Sequence, residues 1–429
     1  KRSRSYSAKN KYNREIILYG IERLARSDPE AALKALNSYR AKHVFDPEQL
    51  KQAHIQVGIF LALLAEPPSV ASLPVNLQDY PELTEALIRG SLRQGDWAQA
   101  LTLINLLPES HQESPRWRYW TARLLANTAD RADIAKDITK ARDILKELAT
   151  LRNFYGFVAA DLLGIAYNYN DEPHPVSAAE AEAMAQNPGV QRALELFALG
   201  ERTSARREWY FSTGDFTQIE AQAAAKLALD KGWHKAAIQV LIDAEAWNSL
   251  DSRFPIAFRE WFTAYADQAD IPVQWALAVA RQESAFVPDA RSPAGALGVM
   301  QLIPSTARIV SRRINASYQN SKNLLEPELN IRLGSNYLGQ LLRRFDNNRI
   351  LASAAYNAGA TRVVKWQNPA LPFEVWIEAI PFTETRNYVQ SVLMFASIYS
   401  RRMAEPLQLL TDDEQAAFAE WQAPGLRDN

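Results

Sequence analysis

The stretch PVQWALAVARQESAFVPDARSPAGALGVMQLIPSTAR, residues 272 to 308, is the most informative part of this 429-residue chain. Its first part predicts a helix in which Trp275, Val279 and Glu283 follow at spacings of four, so that a carboxylate lies on the apolar face. Burial and the negative end of the helix dipole should both raise the pKa of Glu283. An acid that is still protonated near neutral pH can donate a proton to a departing oxygen. The position of Glu283 alone also fits an ordinary capped or ion-paired surface glutamate. The flanking sequence therefore has to distinguish between a catalytic acid and a surface residue.

The segment after this glutamate predicts a turn, a short strand and a helix start. Gly295 and Gly298 bracket the turn, LGVMQL (297 to 302) has the composition of a short strand, and Pro304 follows as the first residue of another helix. A phosphate-binding loop is excluded, because the glycines are too sparse and the lysine that should follow them is missing.

Two later segments carry groups suited to sugar binding. AAYNAG (354 to 359) offers a phenol and an amide, and PFTETRNYV (381 to 389) adds Glu384, Arg386 and Tyr388. Amides bind hydroxyl and N-acetyl groups, and aromatic faces cover sugar rings. The same residues also fit simpler roles, with Asn357 at a helix end and Glu384 paired locally with Arg386.

Composition excludes several other chemistries. Lys and Arg number 48 against 49 Asp and Glu, which provides no net field for nucleic acid; the basic opening KRSRSYSAKNK fits a solvated terminus. The chain has no cysteine, and its five histidines show no helical metal-ligand spacing and none lies beyond His234. We therefore expect no metal, no cofactor and no serine-hydrolase triad.

Helix starts recur along the first part of the chain. Asp28 and Asp46 each precede a proline and an apolar run of helical spacing, which favours an irregular α-solenoid, although a compact helical bundle would give a similar pattern. Polar breaks at 168–177 and 251–255 predict a superhelical domain over 1–170, a helical linker domain over 175–250 and a domain carrying the chemistry over 251–429. We found no apolar run long enough to span a bilayer and expect that any export signal has been removed.

In combination, ES-x₇-SPAGALGVMQLIPSTA, AYNAG and ETRNYV resemble the catalytic domain of the soluble lytic transglycosylases, over about residues 255 to 400. The resemblance implies a mainly α protein: a superhelical solenoid or ring, a small helical linker domain, and a goose-type lysozyme-like α+β catalytic domain with very little β. RNFYGFVAADLLG, residues 152 to 164, looks like the closing helix of that solenoid.

The resemblance also implies a reaction and a site. Glu283 would be the single general acid and base that cleaves the β-1,4 bond between N-acetylmuramic acid and N-acetylglucosamine, forming a 1,6-anhydro ring. Where the family commonly has Met two residues after the Gln, this chain has Ile303. The glycan cleft would be lined by Ser292, Met300, Gln301, Ile303, Tyr337, Tyr356, Asn357, Glu384 and Tyr388.

Two other functions remain open on the sequence. A lysozyme-like hydrolase would use water and a second carboxylate, for which Asp289 and Glu384 are the nearest candidates. A non-catalytic peptidoglycan-binding scaffold would use the solenoid as an interaction surface. The expected partner is the glycan strand, and the helical surfaces could also dock other cell-wall enzymes. We expect a periplasmic monomer, with association at the outer membrane left open.

Overall fold

The computed structural model describes residues 11–42, 45–64, 76–128, 134–173 and 175–419. Across these ranges the chain is mainly helical, and its β structure is limited to isolated antiparallel bridges that pair Leu297 with Arg291 and with Leu302. Apart from Lys11, the basic opening lies outside the described residues, as do His43 and His174. None of the described helices is both long and apolar enough to cross a membrane.

The first segment is a succession of helices in which each packs mainly on its neighbours along the chain. As predicted, Asp46 caps a helix: its carboxylate accepts hydrogen bonds from the backbone N–H groups of Glu48 and Gln49, with Pro47 at the first helical position. The helices are α1 (Lys11–Ala25), α2 (Pro29–Lys42), α3 (Pro47–Ala62), α4 (Pro81–Gln94), α5 (Trp97–Ile104), α6 (Glu109–Gln112), α7 (Pro115–Thr128), α8 (Ile134–Ala149) and α9 (Phe154–Leu163), with a 3₁₀ turn at Leu77–Asp79.

The second segment has a hydrophobic core of its own, which extends from Met184 to Ala246. Ser177 and Glu180 form the expected capping box at its first helix, so the backbone donors at that helix end are satisfied reciprocally. The helices are α10 (Ala178–Ala185), α11 (Pro188–Ala198), α12 (Arg202–Thr213), α13 (Gln218–Asp230) and α14 (His234–Asp243).

In the third segment, the helix that ends at Glu283 is surrounded by other helices. Trp275 is fully buried and donates its indole N–H to Ser353 Oγ at 3.0 Å. The helices are α15 (Leu250–Arg253), α16 (Arg259–Ala269), α17 (Val273–Glu283), α18 (Pro304–Arg313), α19 (Pro327–Arg344), α20 (Arg349–Ala358), α21 (Ala360–Trp366), α22 (Phe373–Glu378), α23 (Thr383–Met403) and α24 (Asp412–Ala416), with a 3₁₀ turn at Ser321–Leu325.

The first and third segments share one hydrophobic core and a buried network of charges. Glu378 of α22 is 1% exposed and accepts hydrogen bonds from Arg89 Nε at 2.9 Å and from the Tyr155 hydroxyl at 2.7 Å. Burial would raise the pKa of Glu378, but the charges of Arg116 and Arg89 outweigh it and lower this pKa to about 2. The helix that precedes α23 is therefore anchored to the first segment.

The short strand predicted for LGVMQL is wrong. Leu297 and Leu302 exchange two backbone hydrogen bonds of 3.0 Å with each other, so the segment folds back on itself as a tight turn. Gly298 within it has φ +80, and a Cβ there would lie 2.1 Å from the carbonyl oxygen of Leu324. The apolar composition that suggested a strand reflects burial of the side chains of Leu297, Val299, Met300 and Leu302.

Candidate active site

Glu283 is the last residue of α17 and lies next to a buried tyrosine. The next residues leave the helix because Ala285 and Phe286 adopt left-handed φ angles of 54 and 64. The hydroxyl of Tyr388, which belongs to α23 and is 4% exposed, donates a hydrogen bond of 2.7 Å to Glu283 Oε1. A helix end thus directs the carboxylate to a site lined by two further elements of the third segment.

Burial raises the pKa of Glu283 from 4.5 to about 7. The hydrogen bond from Tyr388 lowers this pKa, because it favours the ionised carboxylate, and the negative charge of Glu384 raises it. Desolvation is the largest of the three effects, so much of the acid stays protonated near neutral pH. The expected direction of the shift is confirmed.

A second tyrosine lies beside the same carboxylate. Tyr356 of α20 donates its hydroxyl to the carbonyl oxygen of Met300 at 2.7 Å, and its ring lies 5.4 Å from that of Tyr337, centroid to centroid. Burial raises the pKa of Tyr356 well above its usual value, and the charge of Glu283 raises it further. Tyr356 therefore stays a neutral donor and holds the backbone of the turn at 297–302 close to the acid.

That turn is held by a residue that sequence reasoning missed. The buried Asn330 side chain accepts from the Met300 backbone N–H at 2.7 Å and donates to the carbonyls of Leu297 and Leu324, each at 2.9 Å. Ser284, next to Glu283, donates its hydroxyl to the Val299 carbonyl at 2.7 Å. An asparagine inside an amphipathic helix gives no sign in sequence that its amide closes a distant turn.

Gln301 lies at the tip of the turn and is partly exposed. Its backbone has φ 49, and its side-chain amide donates to the carbonyl of Gly298 at 2.8 Å. A non-glycine residue in the left-handed region has a conformational cost, which the surrounding contacts must offset. The turn therefore holds Gln301 in one position.

Asn357 and Glu384 meet at the exposed edge of this region. The Asn357 amide donates to Glu384 Oε1 at 3.4 Å, and its oxygen accepts from the Thr385 hydroxyl at 2.6 Å. Thr385, which was not expected from the sequence, thereby fixes which way the amide faces. The combination offers both an amide and a carboxylate to a polar ligand.

The other expected residues are distributed around the turn. Ser292 uses its hydroxyl within its own loop, where Oγ accepts from the Ala296 N–H at 3.0 Å. Met300 is fully buried against Gly334, where an added Cβ would lie 2.3 Å from its sulfur. Ile303 is 38% exposed and immediately precedes α18, so an apolar surface is kept where the family commonly has methionine.

The local ion pair suggested between Glu384 and Arg386 is wrong. Arg386 is 3% exposed and donates to the Glu378 carbonyl at 3.1 Å and to Thr383 Oγ1 at 3.0 Å, whereas Glu384 is exposed. Residues two apart on a helix do not share a face, which explains the divergence. Asp289, the other candidate for a second carboxylate, lies on the wall of a cavity formed with the second segment.

The described part of the chain contains no group of three or more His, Asp or Glu side chains placed to hold a metal ion. The groups that form the site are a partly exposed acid, two neutral phenols, amides and backbone carbonyls.

Three family models match the chain. The Transglycosylase SLT domain matches residues 260–374, the Soluble lytic murein transglycosylase L domain matches 183–250, and the Soluble lytic transglycosylase helical domain matches 379–407.

Curated relatives cover most of the chain. The soluble lytic murein transglycosylase of Salmonella typhimurium is 36% identical over 336 residues, 77% of this chain and 51% of its own length. That of Escherichia coli K12 is 31% identical over 410 residues, 94% of this chain and 62% of its own length. The chain therefore spans about half to two thirds of these relatives.

Solved structures agree with the fold. An inactive mutant of the lytic transglycosylase of Pseudomonas aeruginosa, in which a glutamate is replaced by glutamine, is 37% identical with a TM-score of 0.83, over 96% of this chain and 66% of that one. The 70 kDa soluble lytic transglycosylase in complex with bulgecin A is 30% identical with a TM-score of 0.82, over 95% and 66%. The mainly helical architecture, a superhelix with a lysozyme-like domain, is thus confirmed.

Proposed function

Because the chain belongs to the soluble lytic transglycosylase family, we propose that it cleaves peptidoglycan between N-acetylmuramic acid and N-acetylglucosamine. The observation that carries the proposal is the pairing of Tyr388 with a Glu283 whose pKa is about 7. Such an acid is available both as donor and, after transfer, as acceptor near neutral pH.

The proposed first step is protonation of the bridging oxygen by Glu283. Since Oε1 accepts the Tyr388 hydroxyl, the acidic proton is carried by Oε2. The bond from C1 of the muramic sugar to this oxygen breaks, and the oxygen leaves as a hydroxyl of the glucosamine unit. The substrate's own N-acetyl oxygen stabilises the cationic C1, as in substrate-assisted glycosidases.

In the second step Glu283, now a carboxylate, accepts the proton of the same sugar's 6-hydroxyl. Its oxygen bonds to C1 and closes the 1,6-anhydro ring, so that no water is consumed. The Tyr388 hydrogen bond stabilises the carboxylate between the two steps, because a donor to an ionised acceptor is stronger than one to a neutral acid.

The position of the other carboxylates favours this scheme over hydrolysis. Glu384 is exposed and engaged with Asn357, and Asp289 lies on the wall of a different cavity. A second carboxylate that acts as base or nucleophile would have to face the same sugar from the opposite side, within about 5 to 10 Å. This arrangement supports the scheme in which Glu283 acts as the single acid and base.

The substrate-contacting residues are part of the same proposal. The contacts described above support a glycan cleft around Glu283. The residues that would line it are Ser292, Met300, Gln301, Ile303, Tyr337, Tyr356, Asn357, Glu384 and Tyr388. The domain boundaries at about 170–175 and 250–251 are part of the proposal as well, and the separate core of the second segment supports them.

Activity on the cell wall would require the protein to work in the periplasm.

Mass spectrometry of a sacculus digest tests the proposal. We expect products lighter by one water than the hydrated muropeptides, which is the mass of 1,6-anhydro ends. Hydrated reducing ends would instead establish the lysozyme-like alternative. Glu283→Gln should retain binding to sacculi while turnover falls by about 10²- to 10⁴-fold; digestion at the parental rate would refute the role of Glu283.

A further inference from the structure

A cavity of about 510 Å³ lies between the second segment and the loop that follows Glu283. One wall comes from α11, α12 and the start of α14, and the other from Phe258 and residues 286–291. This volume is in the range of small-ligand sites. The second wall begins three residues after the proposed catalytic acid, so a ligand here would lie on a direct extension of the active-site loop.

The cavity is strongly cationic in a chain whose net charge is −1. A single carboxylate, Asp289, lines it, against five cationic side chains: Arg202, Arg206, Lys231, Lys235 and Arg291. Arg206 and Lys235 are exposed at its edge and form no ion pair with a described residue. Such a concentration of one charge sign attracts an anionic ligand.

The interior of the cavity is aromatic and contains unsatisfied polar groups. Trp233 stacks on Phe197 at 4.5 Å and lies 5.2 Å from Trp209, centroid to centroid. Trp209 is 1% exposed, and its indole N–H has no hydrogen-bond partner among the described residues; the same holds for Nδ1 of His234. Because buried polar groups are normally paired, these two are exceptions at the wall of the cavity.

The wall next to the active site is also strained. Phe258 and Phe286, whose rings lie 5.9 Å and 6.0 Å from that of His234, centroid to centroid, have left-handed φ angles of 50 and 64. A bulky residue is strained in this region and persists there only where its surroundings hold it. The surroundings thus hold both aromatic side chains at the wall of the cavity.

We propose that this cavity is an accessory site for the carboxylate-bearing peptides attached to the glycan, an inference that rests on the proposed function. The carboxylates would pair with Arg206 and Lys235, and the aromatic rings would cover the aliphatic parts of the peptide. The peptide fits better than the glycan, because an N-acetylmuramic acid whose lactyl carboxyl is linked to a peptide is neutral, whereas the peptide itself carries free carboxylates.

The test is calorimetric titration of the full chain with a free peptidoglycan tetrapeptide, which contains no glycosidic bond. Arg206→Gln with Lys235→Gln should weaken binding about tenfold, since two charge-assisted contacts are lost. The matched control is Arg207→Gln with Lys226→Gln, which removes the same charge from α12 and α13 outside the cavity and should bind as the parent does.

A second measurement uses the parent protein only, so folding of the variants cannot affect it. A tetrapeptide with amidated carboxylates should bind at least tenfold more weakly than the ionised peptide. Equal affinity for both peptides, equal loss in the two double variants, or full displacement by inorganic phosphate at constant ionic strength would each overturn the proposal. Cleavage of peptide-free glycan tests the proposed function separately, because it needs Glu283 and not this cavity.

Discussion

The Tyr388 hydroxyl donates to Oε1 of Glu283 across 2.7 Å, although 105 positions separate the two residues. This contact couples the acid to α23, which is itself tied to the first segment: Arg116 donates to Asn387 at 2.9 Å, and Gln390 donates to Tyr155 at 2.9 Å. The position of the phenol therefore depends on contacts with both the third and the first segment.

Tyr388→Phe should move the alkaline limb of the pH–rate profile to higher pH. The lost hydrogen bond favoured the carboxylate, so the pKa of Glu283 rises above about 7 and the acid stays protonated to higher pH. Turnover at the optimum should fall about 10- to 100-fold, because the carboxylate formed in the reaction loses a charge-assisted hydrogen bond. Tyr399→Phe on the same helix, whose hydroxyl bonds the Pro255 carbonyl, should leave the profile in place. An unshifted profile in the Tyr388 variant would show that this contact is not formed in the working enzyme.

Glu283→Gln should stabilise the protein above neutral pH and have little effect near pH 4. The folded-state pKa of about 7 exceeds the usual 4.5, so ionisation destabilises the fold progressively as pH rises from about 4.5 to 7. Above pH 7 the amide removes this cost, at most about 3 kcal/mol. Thermal unfolding midpoints of both proteins at pH 4 and pH 8 measure the difference. A gain of equal size at both values would mean that ionisation is not its cause.

Gly298→Ala should destabilise the turn more than Gly295→Ala does. Both glycines have φ near +80, so the conformational strain of alanine is shared. A Cβ at 298 would also lie 2.1 Å from the Leu324 carbonyl and 2.3 Å from Asn330 Nδ2, whereas a Cβ at 295 meets nothing within 4 Å. We expect an extra loss of about 1–3 kcal/mol by urea unfolding, with reduced turnover because Gln301 moves. Equal losses of stability in the two variants would contradict the close packing of Gly298 that the structure shows.

Glu378→Gln should lower the free energy of unfolding by about 3–5 kcal/mol at neutral pH, because Arg116 would lose the carboxylate it pairs with and Arg89 would keep only Glu85. The folded-state pKa of Glu378 is held at about 2, so its contribution is present above about pH 4.5 and is lost as pH falls towards 2. The difference from the parent should shrink in that window when chemical unfolding is followed.

The control for this network is Glu208→Gln, which breaks an exposed pair with Arg192. Its effect should stay below about 1 kcal/mol, because solvent screens surface ion pairs. Similar losses in the two variants would contradict the buried character of the Glu378 network.

Local signals in the sequence were sufficient for the helices and for the acid. Asp46 before Pro47 and the Ser177–Glu180 capping box act within four residues, so their hydrogen bonds follow from spacing alone. Glu283 on the apolar face of α17 follows from the helical period in the same way, and with it the raised pKa. The motif combination pointed to the family for a comparable reason, since those residues are close together in the chain.

Tertiary structure alone decided which groups meet that acid. Asn330 closes the turn from 30 positions away, Arg386 faces Glu378 rather than Glu384, and LGVMQL forms a turn because its neighbours bury it. The aromatic and cationic cavity likewise joins α12 and α14 to residues 286–291. Periodicity assigns a side chain to a face of its own helix, but the partner on that face is set by how distant helices pack, which a single sequence does not encode locally.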